Sequence, residues 1–159
     1  MTNKGSAEMQ INEQIAAKVL ETVRHGLVSG LGIQEPGKMC VEAAVCYALG
    51  MPHGDEPTCV SPSVRRFKIV MNDSLWSSPA ARSKGLERLA LAQLGSNKDF
   101  DNIEFARRVA AAAGRWSAAA AAAAVYDKVL SDCAEDVVQI LIAMNAPGCK
   151  WLYLTEVKQ

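Results

Sequence analysis

Branched and long apolar residues return every fourth position near the start of the chain, at Ile11, Ile15, Val19, Val23 and Leu27, with Ala16 and Leu20 beside them. Charges at Glu13, Lys18, Glu21 and Arg24 lie elsewhere, so the spacing predicts an amphipathic helix from Ala7 to about Val28 that leaves through the glycines of Ser29–Gly32. After a Pro36-Gly37 turn the pattern changes. Lys38 to Leu49 is apolar on nearly every face until Gly50 and Pro52 stop it, which predicts a central buried helix. Two later helices are marked at their starts by Ser61-Pro62 and Ser78-Pro79, because serine caps free backbone N–H groups and proline has none to lose at the first helical position. The first places Val64, Phe67 and Met71 on one face, although Phe67, Ile69 and Met71 also alternate as a strand would. The second carries Leu86, Leu89, Ala90 and Leu94 and stops at Gly95.

Asp101 and Glu104 fit a capping box that opens a helix with Phe105, Val109 and Ala113 inside and Gly114 as a candidate break. Residues 110–124 hold eleven alanines in fifteen positions, a composition that favours helix whether it packs closely or stands as an exposed rod. A last wide apolar face runs through Leu130, Cys133, Val137, Ile140, Leu141 and Met144. The closing segment from Cys149 to Val157 alternates weakly and has no partner strand, so an extended tail laid on the bundle is expected. The pattern as a whole predicts an all-α, single-domain helical bundle of five or six helices, with a long alanine-rich C-terminal helix, a short extended C-terminal tail and flexible residues 1–7.

At 159 residues and 50% hydrophobic, the chain has the length and apolar content of one folded domain. Lys plus Arg and Asp plus Glu both number 17, which disfavours a globally basic nucleic-acid binder. Five cysteines, an odd number without a two-residue pair, argue against a disulfide scaffold and for a reduced, cytoplasmic setting. No apolar run reaches the roughly 20 residues that span a bilayer, so no membrane association is expected. Nothing in the sequence calls for a cofactor.

Several residues could carry chemistry. Gly32 to Lys38 has the spacing of a phosphate-binding loop, but Met39 stands where Ser or Thr would hold magnesium, leaving a turn with a solvated lysine or a weak anion site at the next helix start. Cys40 in the first turn of the buried helix, with His53 and Asp55, could form a thiol, a base and an orienting carboxylate, although a cysteine between Met39 and Val41 also suits core packing. His53, Asp55, Glu56 and Cys59 are all possible metal ligands but lack a recognised spacing, and a surface turn is the simpler reading. Glu42 interrupts an apolar helix, so it must be paired, protonated or turned toward solvent or a cleft; an internal ion pair with an arginine is the simpler reading and a binding pocket the other. From Arg65 to Arg88 six basic residues meet Asp73 and Glu87, and Arg65, Arg66, Lys68, Trp76, Arg82 and Lys84 make a candidate surface for an anion, a nucleotide or an acidic protein, or else an ordinary solvated face. Arg65 and Arg82 near helix starts oppose the helix dipole, which asks for a reason beyond helix stability.

The run PGKMCVEAAVCYALGMPHGDEPTCV, continued by RRFKIVMNDSLWSSPAARSKGLERLALAQLGS, resembles a group of small proteins of bacteriophage and bacterial genomes with no assigned activity. The resemblance covers roughly residues 30–108 and implies a cytoplasmic protein of phage or mobile-element origin, without a catalytic residue to carry over. By analogy with small phage proteins, it implies a non-enzymatic binding protein that engages a host component, for example to inhibit a bacterial defence system, or sequesters a nucleotide-like anionic signalling molecule. The rival expectation is a cysteine-dependent hydrolase or transferase using Cys40 and His53. A homo-oligomer is expected from the wide apolar face of the last helix and from Trp151 and Tyr153; nucleic acid is the less favoured partner.

Overall fold

The computed structural model describes residues 10–122 and 126–156. They form α1 (Glu13–Arg24), α2 (Val41–Ala48), α3 (Pro62–Asn72), α4 (Pro79–Ala92), α5 (Asn102–Ala122) and α6 (Tyr126–Ala143), followed by a 3-10 helix at Pro147–Glu156. Among the described residues there is no strand, and a single isolated antiparallel bridge joins Gly32 to Met39. The chain is an all-α, single-domain helical bundle, as its pattern predicts.

The helix starts are set by local chemistry. Asn12 Oδ1 accepts from the Ile15 N–H at 2.9 Å, Ser61 Oγ from Val64 at 3.3 Å and Ser78 Oγ from Ala81 at 3.0 Å, each satisfying a donor that its helix leaves open. At α5, Asp101 Oδ1 accepts from the Glu104 N–H at 2.9 Å. The Glu104 carboxylate does not close the box; it holds Arg107 and Arg108, whose hydrogen bonds keep its pKa down at about 2.

Helix α4 is the spine, touching α1, α2, α6 and the 3-10 helix. Leu86, Leu89, Ala90, Leu91 and Ala92 are fully buried along it, and one continuous apolar core joins it to every other helix. The ambiguity at 64–72 resolves as helix because Val64, Lys68, Met71 and Asn72 share one buried side, at the three- and four-residue steps of a helix.

The structure departs from the sequence expectations in five places. Helix α1 ends at Arg24, not near Val28, because Gly26 takes a left-handed φ of 107° and the Leu27 N–H is drawn to Pro79 O at 3.3 Å. Helix α2 starts at Val41, so Cys40 is its cap and Lys38 precedes it. Gly114 does not break α5, and the alanine-rich helix is the fifth of six, with α6 after it. The closing segment is a 3-10 helix, not an extended tail. Asn145, at φ 56°, turns the chain out of α6, and Gly148 lies against the carbonyls of Leu91, Ala92 and Leu94, where a Cβ would stand 2.4 to 2.7 Å from oxygen. That approach lets Leu152 bury and winds the segment onto α4. Residues 1–9, which include the expected flexible segment and Ala7 of the first predicted helix, lie outside the described residues, as do Ala123, Ala124 and Val157.

Candidate functional site

Three polar side chains meet in the core. Glu42 is in the first turn of α2, Lys68 in the middle of α3 and Gln93 at the C-cap of α4, and all three are fully buried. Lys68 Nζ lies 2.7 Å from Glu42 Oε1, and Gln93 Nε2 donates to the same oxygen at 3.0 Å. Glu42 is ion-paired within the core as expected, but its cation is Lys68 and not an arginine. Burial pushes the Lys68 ammonium pKa down, while the charge and hydrogen bonding of Glu42 oppose the shift. Among the described residues, Lys68 Nζ has no hydrogen-bond partner beyond that ion contact, and Glu42 Oε2 and Gln93 Oε1 have none. Removing either partner would leave a buried charge uncompensated, so the pair ties α2 to α3. Both members of the pair are fully buried, and Glu42 also borders a cavity of about 40 Å³.

Among the described residues, no hydrogen bond joins Cys40, His53 and Asp55, the predicted thiol, base and carboxylate, to one another. Cys40 Sγ caps α2 by accepting from the Ala43 N–H at 3.3 Å. Burial raises its pKa above the usual thiol value, hydrogen bonds from Ala43 and Glu42 pull the other way, and the carboxylates of Glu42 and Asp55 raise it further. His53 Nε2 lies 3.1 Å from Gly32 O, whereas Asp55 pairs with Arg65 at 3.0 Å. Cys40 and Asp55 border one cavity of about 40 Å³ from which His53 is absent. Burial also pushes Cys46, Cys59, Cys133 and Cys149 up to about 11, so these thiols stay protonated at neutral pH.

The metal candidates are dispersed in the same way. Asp55 and Glu56 turn to Arg65, Cys59 is in the core, and among the described residues no three His, Cys, Asp or Glu side chains converge as a metal would need. The loop before α2 offers no open anion site. Lys38 pairs with Glu35 at 3.1 Å, and Asn72 Oδ1 occupies the Val41 N–H at 3.0 Å while its Nδ2 donates to Val28 O at 2.8 Å.

Most of the basic stretch is turned inward. Arg65 Nε donates to Asp55 O at 2.7 Å and holds the 52–58 loop. Lys68 is in the core, and Trp76 is buried with Nε1 donating to Met71 O at 2.8 Å. Arg82 donates to Asn72 O at 2.8 Å, Leu27 O at 3.1 Å and Ser74 O at 3.4 Å. Burial lowers its pKa, but a guanidinium keeps its charge. These contacts explain why a cation sits near the start of α4: it opposes that helix's dipole and completes the C-terminal end of α3. Of the six predicted surface residues, Arg66 and Lys84 are exposed.

Among the exposed side chains are large apolar ones. Leu31, Ile33, Val70 and Leu75 are large hydrophobic side chains in solvent, with Val70 64% and Leu75 81% exposed. They come from two segments, 30–33 and 70–75, pinned together by the Gly30 N–H donating to Asp73 Oδ1 at 2.8 Å. Leu31, Ile69 and Asp73 also border the small cavity beside Cys40. Sequence reasoning passed over this face, although Val70 off the helical stripe and two aliphatics within SGLGIQ were its signal. It also passed over Gln93, a lone amide in an apolar run and thus the same kind of signal as Glu42. By contrast, the wide face of α6 that suggested a partner is buried within the chain at Cys133, Val137 and Leu141. No helix among the described residues is long and apolar enough to cross a membrane. No protein-family model, curated protein or solved structure matches the chain.

Proposed function

We propose that this is a non-enzymatic binding protein that docks onto another protein through the face of Leu31, Ile33, Val70 and Leu75. The observation that carries the reading is that the bond from Gly30 to Asp73 holds together the two segments bearing four exposed large aliphatics. Apolar surface gains about 25 cal/mol per Å² when it leaves water, so such a cluster supplies the anchor of an interface. The use of the buried Cys40 thiol as the cap of α2, with its pKa raised by burial, supports binding over cysteine-dependent hydrolysis. The commitment of Arg65, Lys68 and Arg82 to internal partners supports a protein over an anion at the 65–88 stretch. The resemblance to phage and bacterial proteins favours a component of the bacterial host, such as part of a defence system, as the partner in the cytoplasm. A second copy of the chain bound by the same face would make the expected homo-oligomer.

The test compares the wild type with a V70D/L75D variant, whose changes fall on exposed positions and leave the core untouched. Sedimentation gives the mass of each, and crosslinked capture from a bacterial lysate gives the bound protein and the crosslinked residues. A partner crosslinked at 31–33 or 70–75 and lost in the variant is the expected result. Crosslinks elsewhere, or equal capture by both proteins, would defeat the reading.

A further inference from the structure

The two ends of α3 differ. Its C-terminal end adjoins the apolar face, whereas the segment leading into its N-terminal end, about 16 Å away along the helix, borders a groove of about 620 Å³. Sites for small organic ligands span about 300 to 1,000 Å³. The wall of this groove is apolar at Leu94 and Cys59, both buried, and aromatic at the half-buried Trp151. Around them stand the uncharged hydrogen-bonding side chains of Thr58, Asn97 and Asn145. Lys150 also lines the groove, with Nζ 4.8 Å from the centroid of the Trp151 ring.

A second observation converges on the same place. Among the described residues, the two non-glycine positions with positive φ are Asp99 at 49° and Asn145 at 56°, and both border this groove. A backbone held there is less favourable than an ordinary turn, and such positions gather at binding sites. Both of these left-handed, side-chain-bearing residues thus stand at the rim of this groove.

We propose that this groove binds a nucleotide: the base stacks on Trp151, its edge is read by the carboxamides of Asn97 and Asn145, and its phosphate is held by Lys150. A carboxamide offers a donor and an acceptor side by side, the complement of a nucleobase edge. An indole stacks on the π-face of any base, so affinity comes from Trp151 and selectivity from the two asparagines. The Asp99 carboxylate suits the ribose hydroxyls as an acceptor. In the structure the Lys150 ammonium rests near the indole ring, where the quadrupole attracts a cation. An arriving base takes that place, and the flexible lysine stem lets the ammonium swing to the phosphate. No bond is made or broken, and the docking face at the other end of α3 is not involved.

The full chain is titrated with adenosine, guanosine and uridine monophosphates and with adenosine, by calorimetry and by amide NMR spectra, alongside N97A and K150A. Both substitutions are at exposed positions, and circular dichroism checks their folding. The expected result is saturable binding of at least one monophosphate that shifts the side-chain amides of Asn97 and Asn145. N97A weakens it about tenfold, as loss of a base-edge contact does, and K150A abolishes the advantage of nucleotide over nucleoside. No saturable shift at about 5 mM nucleotide, the weak limit of a specific site, would overturn the proposal. So would shifts confined to residues outside the groove, or unchanged affinity in both variants.

Discussion

Helix α2 has eight residues and buries seven of them; α5 has twenty-one and buries Phe105 and Ala112. Alone, α2 would not form, since an isolated helix shorter than about 12 to 15 residues is marginal in water, and Val41, Val45, Cys46 and Tyr47 are indifferent helix formers. It exists because α1, α3 and α4 surround it and because Cys40 and Asn72 satisfy its first donors. Helix α5 is the opposite case. Its alanines favour helix without help, and it is tied down near its base, where Phe105 lies 5.7 Å from Phe100 and 6.5 Å from Phe67, ring centre to ring centre. Farther along, Trp116 packs on Phe67 and donates to Asp136 at 2.8 Å. One helix owes its form to tertiary burial and the other to local propensity, so the same kind of substitution must have opposite consequences in the two.

The largest effect is expected at the charge that α2 carries into the core. Glu42→Gln leaves the Lys68 ammonium buried without its counter-charge, and breaking one side of a buried pair costs about 3 to 5 kcal/mol. Urea denaturation in reducing buffer measures it. The double variant E42Q/K68M removes both charges while the carboxamide introduced on α2 can still accept from Gln93, and it should recover most of the loss. Were E42Q to cost less than about 1 kcal/mol, the value of an exposed pair, α2 would not be held by its burial and the comparison would fail. A polar change on the outer side of α5, Ala118→Gln, should stay within about 0.5 kcal/mol.

The next effect separates close packing from open space within helices. A Cβ added at Gly85 in α4 would stand 2.3 Å and 2.4 Å from ring carbons of Trp76 and 3.0 Å from Ser131 Oγ. Trp76 is buried and its indole nitrogen is bonded to Met71 O, so the ring cannot simply withdraw. Gly85→Ala should therefore lose about 1 to 3 kcal/mol, the usual cost of overpacking, despite the better helix propensity of alanine. A stability equal to wild type would mean that the Trp76 ring has room to shift.

What was legible in the sequence follows the same division. Features decided within a few residues could be read: the serine caps of α3 and α4, the Asp101 cap of α5, the helical alanine run. The burial and pairing of Glu42 followed from its interruption of an apolar helix, but nothing local points to Lys68 twenty-six residues on as its partner. The basic stretch divides for the same reason. Arg65, Lys68 and Arg82 are close in sequence and yet turn to a loop, a buried carboxylate and three carbonyls. The 3-10 turn of the closing segment depends on Gly148 meeting α4, a contact that no alternation of side chains reveals.

The smallest effect is the most direct probe of α5. Gly114 lies in the middle of the helix, is exposed, and an added Cβ there meets nothing within 4 Å. Gly114→Ala should thus stabilise the protein by about 0.5 to 1 kcal/mol, the propensity difference alone. If that part of α5 opens separately from the bundle, global unfolding will register less of the gain, and amide hydrogen exchange at residues 112–118 will register it in full. A gain at Gly114 beside a loss at Gly85 would mean that propensity governs where the helix is open and packing governs where it is covered. A loss at Gly114 would place something against the outer face of α5 in solution, and sedimentation of the purified protein would tell whether it is another copy of the chain.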